Sequence, residues 1–323
     1  MRLSTFAFLH PLGAEQLRFF REALPDVELL EMPEAGLPLG LERAQGASIS
    51  WNGPPVDAVL AAAPALRWLH QRGAGIDAIS TPALVASRVV LTNGSGNHAI
   101  NIAEHVLGLM LAFARQLPAL VLAQAERRWQ PPAADALFEL SGQTLAIVGA
   151  GQLGCAIAER AAAFGMTVAG VRRSASTAAL PPGFAAMVTI DAIDAVLHEA
   201  DHVVVTLPLT AETRHLFATD RFAAMKRGAH FYNVGRGAVV DHDALLAALR
   251  SGHIAGAGLD VTEPEPLPAD SPLWREPGVI VTAHSSGLTP RSFGRYQALL
   301  LENMQRFERG EALLNVVDKQ LGY

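Results

Sequence analysis

Residues 144–154 read Thr-Leu-Ala-Ile-Val-Gly-Ala-Gly-Gln-Leu-Gly and carry the clearest structural signal in the chain. Its first five residues form an apolar run typical of a buried strand, and the pattern over 153–164 predicts a helix directly after it. Between the two lie Gly149, Gly151 and Gly154, with the spacing Gly-x-Gly-x-x-Gly. A strand, a glycine-rich turn and a helix in this order indicate the phosphate-binding turn of a doubly wound α/β sheet.

The three glycines have separate physical reasons in such a turn. The first allows a tight bend, the second lets the backbone approach a pyrophosphate, and the third lets the helix pack on the strand. The helix N-terminus presents free N–H groups and a positive partial charge to the phosphates. An ordinary glycine-rich turn is the alternative. The pattern predicts that a dinucleotide binds at Gly149, Gly151, Gln152, Leu153 and Gly154.

The chain after this turn alternates apolar runs with helical patterns, which predicts a parallel sheet covered by helices. A helix is predicted over Asp241–Ser251, with Asp241 as its N-cap and Leu245, Leu246 and Leu249 as its apolar stripe. The further predicted strands are Thr167–Val171, His202–Leu207, His230–Val234, Ile254–Leu259 and Val279–Thr282.

The first part of the chain also alternates strands and helices, but without a phosphate turn. A long helix begins near Ala99, and a last helix over Pro290–Arg309 is expected to return to the first part. We therefore expect a two-domain α/β protein. Residues 1–97 and 288–323 form the smaller domain, and residues 98–287 form the dinucleotide-binding domain.

The composition is that of a globular protein, with half of the 323 residues apolar and 17% charged. The formal net charge is 25 minus 31, or −6, and no block of Lys and Arg stands out. Nucleic acid is therefore not an expected partner, and an anionic substrate needs a local positive site. No metal site is predicted.

The protein is expected to be soluble and cytoplasmic. Cys155 is the only cysteine, which suits a reducing compartment, and it is interpreted as a packing residue. The start of the chain resembles a first strand more than a signal peptide. The apolar stretch Val106–Ala123 is interrupted by Arg115, Gln116 and Pro118, so no membrane span is predicted.

Two arginines follow the strand where dinucleotide-binding sheets often carry an acid. Arg172 lies eighteen positions after Gly154, and Arg173 follows it. An acid there accepts hydrogen bonds from the adenosine ribose, whereas a guanidinium binds a 2′-phosphate through paired donors. NADP(H) is therefore preferred over NAD(H), which stays possible if the two arginines are merely solvated.

Polar residues follow three of the later strands. They are Arg236, Asp260 with Glu265 five residues on, and His284. Ligands of open α/β sheets lie outside the carboxyl ends of the strands, so an Arg, a Glu and a His at one edge make a reduction site. Arg236 is suited to hold a carboxylate and polarise a carbonyl. His284 is suited to be the general acid, with Glu265 favouring the imidazolium and fixing the tautomer.

Over nearly its whole length the sequence resembles the D-isomer-specific 2-hydroxyacid dehydrogenase family. Several independent motifs in the same order carry the resemblance. Besides the phosphate turn they are 73–77 (Gly-Ala-Gly-Ile-Asp), 103–105 (Ala-Glu-His), 207–213 (Leu-Pro-Leu-Thr-Ala-Glu-Thr), 233–237 (Asn-Val-Gly-Arg-Gly), 259–266 and 282–284.

The resemblance implies a flavodoxin-like substrate domain built from both chain ends, and an active site in the cleft between the domains. It implies that Arg236, Glu265 and His284 are catalytic, that Arg236 and His284 contact the substrate, and that Asp260 lies on the nicotinamide side. It also implies a homodimer, formed with the help of the helix from Ala99. Further implied contacts are Ala74 and Gly75, whose N–H groups hold the substrate carboxylate, and Thr206, Leu207, Pro208, Thr213 and Val234 beside the cofactor.

Two short segments, Gln320–Tyr323 and Trp129–Pro131, resemble the glyoxylate/hydroxypyruvate reductase A branch, which tends to prefer NADPH. The expected reaction is therefore reduction of a small 2-keto acid to the D-2-hydroxy acid. The sequence departs from the family pattern at three positions. Arg172 replaces the acid of NAD-preferring members, Thr262 stands where many members carry an aromatic residue, and Ala283 stands where proline commonly precedes the histidine.

Two other functions stay open. One is a cofactor-sensing protein without turnover, like the corepressor relatives of the family. The other is oxidation of formate, phosphite or phosphoglycerate on the same scaffold. The candidates for the wall of the substrate pocket are Trp51, Trp68, Asn97 and Trp129, with a core position as the alternative for the first two.

Overall fold

The structure is a computed structural model that describes residues 3–174 and 179–323. The chain divides into two compact units, which we name unit 1 (Met1–Asn97 with Thr289–Tyr323) and unit 2 (His98–Leu288). The sequence places the second boundary at residue 287, one position earlier.

The described residues contain strands and helices in alternation. The strands are β1 (Thr5–Leu9), β2 (Glu28–Leu30), β3 (Gly46–Ile49), β4 (Trp68–Gln71), β5 (Val90–Asn93), β6 (Thr144–Val148), β7 (Thr167–Arg172), β8 (Ala186–Thr189), β9 (His202–Val205), β10 (Ala229–Asn233), β11 (Ile254–Leu259) and β12 (Val279–Val281). The α-helices are α1 (Ala14–Ala23), α2 (Val56–Ala62), α3 (Pro82–Ala86), α4 (Ala99–Ala114), α5 (Leu117–Ala125), α6 (Gln152–Ala163), α7 (Ile193–Glu199), α8 (Thr219–Ala223), α9 (His242–Arg250) and α10 (Pro290–Arg309).

Unit 1 is a parallel sheet in the order β2-β1-β3-β4-β5, which is the flavodoxin-like order. β1 is buried along its whole length. Helix α10 comes from the far end of the chain and packs Tyr296, Leu300 and Met304 into the same apolar cluster as Phe6 and Phe8. Both ends of the chain therefore build this unit, as the resemblance implies.

Of the two roles predicted for Trp68, the core position is confirmed and the pocket wall is not. Its side chain is fully buried, and its ring stacks on Phe307 with the centroids 5.7 Å apart, so it belongs to the core of unit 1. The other two tryptophans proposed for the pocket, Trp51 and Trp129, are exposed. Asn97 is buried, and its Nδ2 has no hydrogen-bond partner among the described residues.

Unit 2 is a seven-stranded parallel sheet in the order β12-β11-β10-β9-β6-β7-β8. Counted from β6, this is the Rossmann order 3-2-1-4-5-6 with one more strand at the β12 edge. The order reverses between β6 and β9, where a doubly wound sheet binds its dinucleotide. The strands are short apolar runs because helices cover both faces of a parallel sheet.

One row of paired residues crosses the sheet of unit 2. It consists of Val171, Val148, Val205, Asn233, Leu259 and Val281. Because the strands are parallel, the chain leaves each of them at the same edge, directly after this row. The residues that follow within three positions include Arg172, Gly149, Thr206, Arg236, Asp260 and His284.

No single helix in the described residues is long and apolar enough to cross a membrane. Helices α4 and α5 pass such a test only together, and they are bent by 69° at the break between them. The break contains Arg115 and Gln116, and Gln116 has a φ of +52°.

Candidate active site

The phosphate turn has the steric requirements that its glycines predict. At Gly149, where φ is +114°, a Cβ atom would lie 2.5 Å from Oγ1 of Thr206. At Gly154 it would lie 2.3 Å from the carbonyl oxygen of Gly149. At Gly151 it would meet nothing within 4 Å. The first and third glycines are thus needed for packing inside unit 2, and the second leaves open space at the start of α6.

The N-terminus of α6 offers donors to that space. The N–H groups of Gln152, Leu153 and Gly154 have no acceptor among the described residues. Such unpaired donors at the start of a helix fit the pyrophosphate of a dinucleotide. Burial raises the pKa of the Cys155 thiol, and the charge of Glu159 adds to the shift, so the thiol stays protonated.

The segment after β9 is tied to the phosphate turn. Thr206 Oγ1 donates a hydrogen bond to the carbonyl oxygen of Gly149 at 2.6 Å, at the point where the strand order reverses. Thr213 Oγ1 donates to the carbonyl oxygen of Pro208 at 2.7 Å, which closes residues 208–213 into a turn directly after Leu207. The predicted cofactor segment thus lies beside the turn, and Thr206 makes the direct contact.

The two arginines after β7 differ in their surroundings. Nε of Arg172 is buried, and within the described residues it has no hydrogen-bond partner. Nη2 of Arg173 lies 3.1 Å from Oε1 of Glu212, as an exposed ion pair. A buried guanidinium nitrogen without a partner fits an anionic ligand, because buried polar groups are otherwise paired. Arg172 is therefore the stronger candidate for a phosphate.

Arg236 extends from a turn that Asn233 fixes. Nδ2 of Asn233 donates to the carbonyl oxygen of Arg236 at 2.9 Å, and its Oδ1 accepts from the N–H of Gly235 at 3.1 Å. Asn233 is fully buried, and Val234 is nearly so. The half-buried Arg236 donates from Nη1 to the carbonyl oxygen of Gly235 at 2.9 Å. The turn and the direction of the side chain are both fixed.

The loops after β10, β11 and β12 form a continuous series of contacts. A Cβ atom at Gly237 would lie 2.0 Å from the carbonyl oxygen of Thr262, so the first two loops touch. The N–H of Thr262 donates to Oε1 of Glu265 at 3.0 Å. Oε2 of Glu265 lies 2.7 Å from Nδ1 of His284. Each of the three residues predicted to be catalytic therefore lies in or next to this series.

The imidazole of His284 is oriented by its carboxylate partner. Because ionised Glu265 can only accept, Nδ1 of His284 carries the hydrogen of that bond. Nε2 has no hydrogen-bond partner in the described part of the chain. The side chain of His284 is 54% exposed and that of Glu265 is 38% exposed, so a substrate can reach the imidazole. This is the arrangement of a histidine that exchanges a proton at Nε2.

The backbone that carries His284 is left-handed at two successive residues. φ is +49° at Ala283 and +53° at His284. A proline ring fixes φ near −65°, so this turn excludes the proline that commonly stands before the histidine in the family. The N–H of His284 donates to the carbonyl oxygen of Asp260 at 2.6 Å. The departure at Ala283 is thus matched to the shape of its turn.

Asp260 is the centre of this turn. Its side chain is 1% exposed. Its carboxylate accepts from Thr282 Oγ1 at 2.7 Å, from the N–H groups of Ser285 and Ser286 at 3.0 and 3.2 Å, and from Ser286 Oγ. The two serines were not singled out from the sequence, because single polar residues in a loop carry no pattern, and Thr282 was part of the 282–284 motif without a role of its own. The contact of Asp260 with the nicotinamide stays a prediction.

In unit 1 the loop with Ala74 and Gly75 turns its carbonyl groups inward. The N–H groups of Ala74 and Gly75 have no acceptor in the described residues, as a backbone anion site requires. Gln71 and Asn93, which sequence reasoning missed, fix the loop by donating to its carbonyl oxygens. The inward bonds are Gly94 N–H to Gly73 O at 2.9 Å, Asn93 Nδ2 to Ala74 O at 2.7 Å and Gln71 Nε2 to Gly75 O at 3.2 Å.

Among residues 3–174 and 179–323, no group of three or more His, Cys, Asp or Glu side chains is arranged to hold a metal ion. The chemistry of the site described above is that of N–H donors, guanidinium groups and one histidine–carboxylate pair.

Residues 107–286 match the model of the D-isomer specific 2-hydroxyacid dehydrogenase NAD binding domain. The chain belongs to the D-isomer specific 2-hydroxyacid dehydrogenase family. It is therefore an enzyme of this family, with the two-domain Rossmann arrangement and a nicotinamide dinucleotide as its cofactor.

Relatives of this dehydrogenase have been named and solved. The glyoxylate/hydroxypyruvate reductase B of Salmonella newport is 38% identical over 268 residues, which cover 81% of each chain. A D-isomer specific 2-hydroxyacid dehydrogenase from Xanthobacter autotrophicus, crystallised with NADPH and MES, is 35% identical. Its TM-score is 0.85, over 99% of this chain and 100% of that one.

A second solved neighbour of the dehydrogenase is the NADPH-dependent glyoxylate/hydroxypyruvate reductase from Sinorhizobium meliloti, in complex with NADP and sulfate. It is 29% identical, with a TM-score of 0.85 over 99% of this chain and 100% of that one. The predicted family is thus confirmed. The predicted A branch within it stays a prediction, since the Salmonella relative bears the name of reductase B.

Proposed function

We propose that this dehydrogenase reduces a small 2-keto acid of the glyoxylate or hydroxypyruvate type to the D-2-hydroxy acid, with NADPH as the preferred reductant. The observation that carries the proposal is the His284–Glu265 pair at the sheet edge where Arg236 and the phosphate turn also lie. Relatives named glyoxylate reductase and glyoxylate/hydroxypyruvate reductase support the substrate class.

When bound, a reduced nicotinamide would supply a hydride to the carbonyl carbon. In our proposal the N–H groups of Ala74 and Gly75 bind the carboxylate of the keto acid. Arg236 binds the carboxylate and polarises the carbonyl, because a guanidinium offers several donors in one plane. His284 gives the proton at Nε2 to the new alkoxide oxygen, and Glu265 stabilises the imidazolium and keeps Nδ1 protonated throughout.

The preference for NADPH rests on Arg172. Its buried Nε lacks a partner in the described residues, and a 2′-phosphate on the adenosine ribose would provide one. The NADPH and NADP complexes of the two solved neighbours are in line with this. Arg173 is engaged with Glu212, so we assign it a lesser part.

We also propose that the protein acts as a homodimer through α4 and α5. Val121 and Leu122 on α5 are 64% and 65% exposed, and Leu117 is also exposed. Exposed apolar side chains in one helix indicate a surface that another protein covers. Light scattering should then give twice the mass of 34.2 kDa, and a Leu122→Glu variant should give a smaller mass.

The reaction is tested by following loss of reduced-nicotinamide absorbance with the purified enzyme. NADPH and NADH are each combined with glyoxylate, hydroxypyruvate, pyruvate and phenylpyruvate. We expect turnover with the small acids and faster turnover with NADPH, and a chiral product should be the D isomer. Tight NADPH binding without turnover on any keto acid would contradict the proposal and favour a cofactor-sensing protein.

A further inference from the structure

Helix α4 and its N-cap residue carry three polar side chains on one side, at positions 98, 101 and 105. They all contact the turn over residues 282–287, which we name the His284 turn. Nδ1 of His98 lies 3.0 Å from the carbonyl oxygen of Gly287, and Nδ2 of Asn101 donates to that of Ser286 at 2.7 Å. Nε2 of His105 lies 3.0 Å from Oγ1 of Thr282. The spacing of three and four residues puts all three on one side of the helix.

The direction of the hydrogen bond between His105 and Thr282 can be deduced. The hydroxyl of Thr282 has one hydrogen, and it donates this to Oδ1 of Asp260 at 2.7 Å. Oγ1 of Thr282 must therefore accept from His105, so Nε2 of His105 carries a hydrogen. This gives a directed series of donors that begins at α4 and ends at the buried carboxylate of Asp260. Nε2 of His105 itself lies 3.8 Å from that carboxylate.

The same carboxylate holds the far side of the His284 turn. It accepts from the N–H groups of Ser285 and Ser286. The backbone carbonyl oxygen of Asp260 accepts from the N–H group of His284. Left-handed φ angles at Ala283 and His284 persist only where surrounding contacts fix them. Hence whatever orients the carboxylate of Asp260 also sets the direction of His284.

We propose that His105 is a positioning residue for His284, acting through Thr282 and Asp260. The inference rests on the proposed function, because it concerns the residue assigned there as the proton donor. It also gives a role to the Ala103-Glu104-His105 motif, which the reaction itself does not use. His105 need not touch the substrate or the cofactor to have this role.

The neighbouring Glu104 provides a matched control. Its side chain is 65% exposed, and its contact is with Arg160 on α6, at 3.9 Å. It lies on the same helix and in the same motif, but among the described residues it makes no hydrogen bond to the His284 turn. A Glu104→Gln variant therefore reports any general effect of altering this helix.

Two variants of His105 separate positioning from packing. In His105→Gln the longer amide can place an N–H group where Nε2 lies. In His105→Asn the side chain is one carbon shorter and cannot reach Thr282. We expect the Asn variant to lose about 10-fold to 100-fold in kcat, with the KM for the keto acid and the Kd for NADPH within about twofold of wild type. The Gln variant should keep kcat within about threefold, as should Glu104→Gln.

Hydrogen exchange gives a readout that needs no turnover. The N–H groups of Ser285 and Ser286 are bonded to Asp260, so they should exchange faster in His105→Asn and at the wild-type rate in His105→Gln. Equal kcat and equal exchange in the Asn and Gln variants would overturn the proposal. It would also be overturned if the Kd for NADPH in His105→Asn rose by the same factor by which kcat fell. A wild-type enzyme without turnover, but with the expected exchange pattern, would contradict the proposed reaction and leave the positioning by His105 supported.

Discussion

Nδ1 of His284 lies 2.7 Å from Oε2 of Glu265, and this bond decides which nitrogen of the imidazole is available to a substrate. The carboxylate takes Nδ1 and leaves Nε2 as the proton donor. Oε1 of Glu265 accepts from the N–H of Thr262 at 3.0 Å, so the carboxylate is itself held in place. The pair therefore has a fixed geometry before any ligand binds.

Replacing Glu265 by Gln should lower kcat by about 10-fold to 100-fold. The amide keeps the shape and one acceptor oxygen, but it removes the negative charge that stabilises the imidazolium. Steady-state kinetics with NADPH and the best keto acid measure the loss. The Kd for NADPH, measured by fluorescence titration, should stay within about twofold. A Gln variant as fast as wild type would show that the carboxylate has no catalytic part.

Arg172→Ser should weaken NADPH binding about 10-fold to 100-fold and leave NADH binding nearly unchanged. A charge-assisted hydrogen bond contributes about 1.5–3 kcal/mol, and only NADPH carries the 2′-phosphate that would receive it. Isothermal titration with each cofactor gives both affinities. Arg173→Ser is the matched control, because that guanidinium is already paired with Glu212, and its effect should be smaller. An equal loss of affinity for NADPH and for NADH in Arg172→Ser would contradict a contact between Arg172 and the 2′-phosphate.

Two glycines of the phosphate turn should respond to alanine in opposite ways. Gly151→Ala meets nothing within 4 Å, so Tm should stay within about 1 °C, while the Kd for NADPH rises at least about 10-fold. Gly154→Ala brings a Cβ atom to 2.3 Å from the carbonyl oxygen of Gly149, so it should cost about 1–3 kcal/mol of stability. Thermal unfolding and NADPH titration of both variants check this. Normal NADPH binding by Gly151→Ala would show that the pyrophosphate does not bind at this turn.

Buried histidines should make the protein less stable in mild acid. Burial lowers the pKa of His230 to about 4, and its ring lies among Phe113, Phe138 and His202 with centroids 5.1 to 5.4 Å away. Burial, with the neighbouring His230, lowers the pKa of His202 to about 3.

Between pH 6.5 and about 4 the unfolded chain binds a proton at His230 that the folded protein does not bind. The free energy of unfolding therefore falls as the pH falls, by at most about 1.4 kcal/mol per pH unit for each such histidine. Urea unfolding from pH 7 to pH 4.5 measures the slope. His230→Phe should flatten it, because one proton-binding group is removed from an apolar setting. An unchanged slope in that variant would contradict a buried neutral His230.

Much of the fold could be predicted because its signals are local. Thr144–Val148, Ile254–Leu259 and Pro290–Arg309 have the predicted ends. Asp241 caps α9 as predicted, since its side chain accepts from the N–H groups of Asp243 and Ala244. These elements combine a clear apolar period with a capping residue or a glycine.

Other elements could not be predicted, because tertiary contacts decide them. The strand predicted over His202–Leu207 ends at Val205, since Thr206 turns its hydroxyl to Gly149. Strand β8, Ala186–Thr189, was missed although residues 184–188 are all apolar; it is a four-residue strand at the edge of the sheet, and its residues are exposed or half-buried. Both cases depend on partners far away in the sequence.

The residues of the candidate site also fall into a predicted group and a group that was missed. Arg236, Glu265 and His284 were found because each follows a strand and matches a family motif. Ser286, which holds the turn of His284, and Asn93, which holds the loop of Ala74 and Gly75, left no signal, because a single polar residue in a loop or at a strand end has no period.

His284→Ala removes the side chain that is proposed to supply the proton. We expect kcat to fall by about 10²-fold to 10⁴-fold, while the Kd for NADPH stays within about twofold of wild type. The exposed His198 on α7 provides the control, and His198→Ala should be indistinguishable from wild type. A His284→Ala enzyme that reduces the same keto acid at the wild-type rate would contradict the proposed reaction.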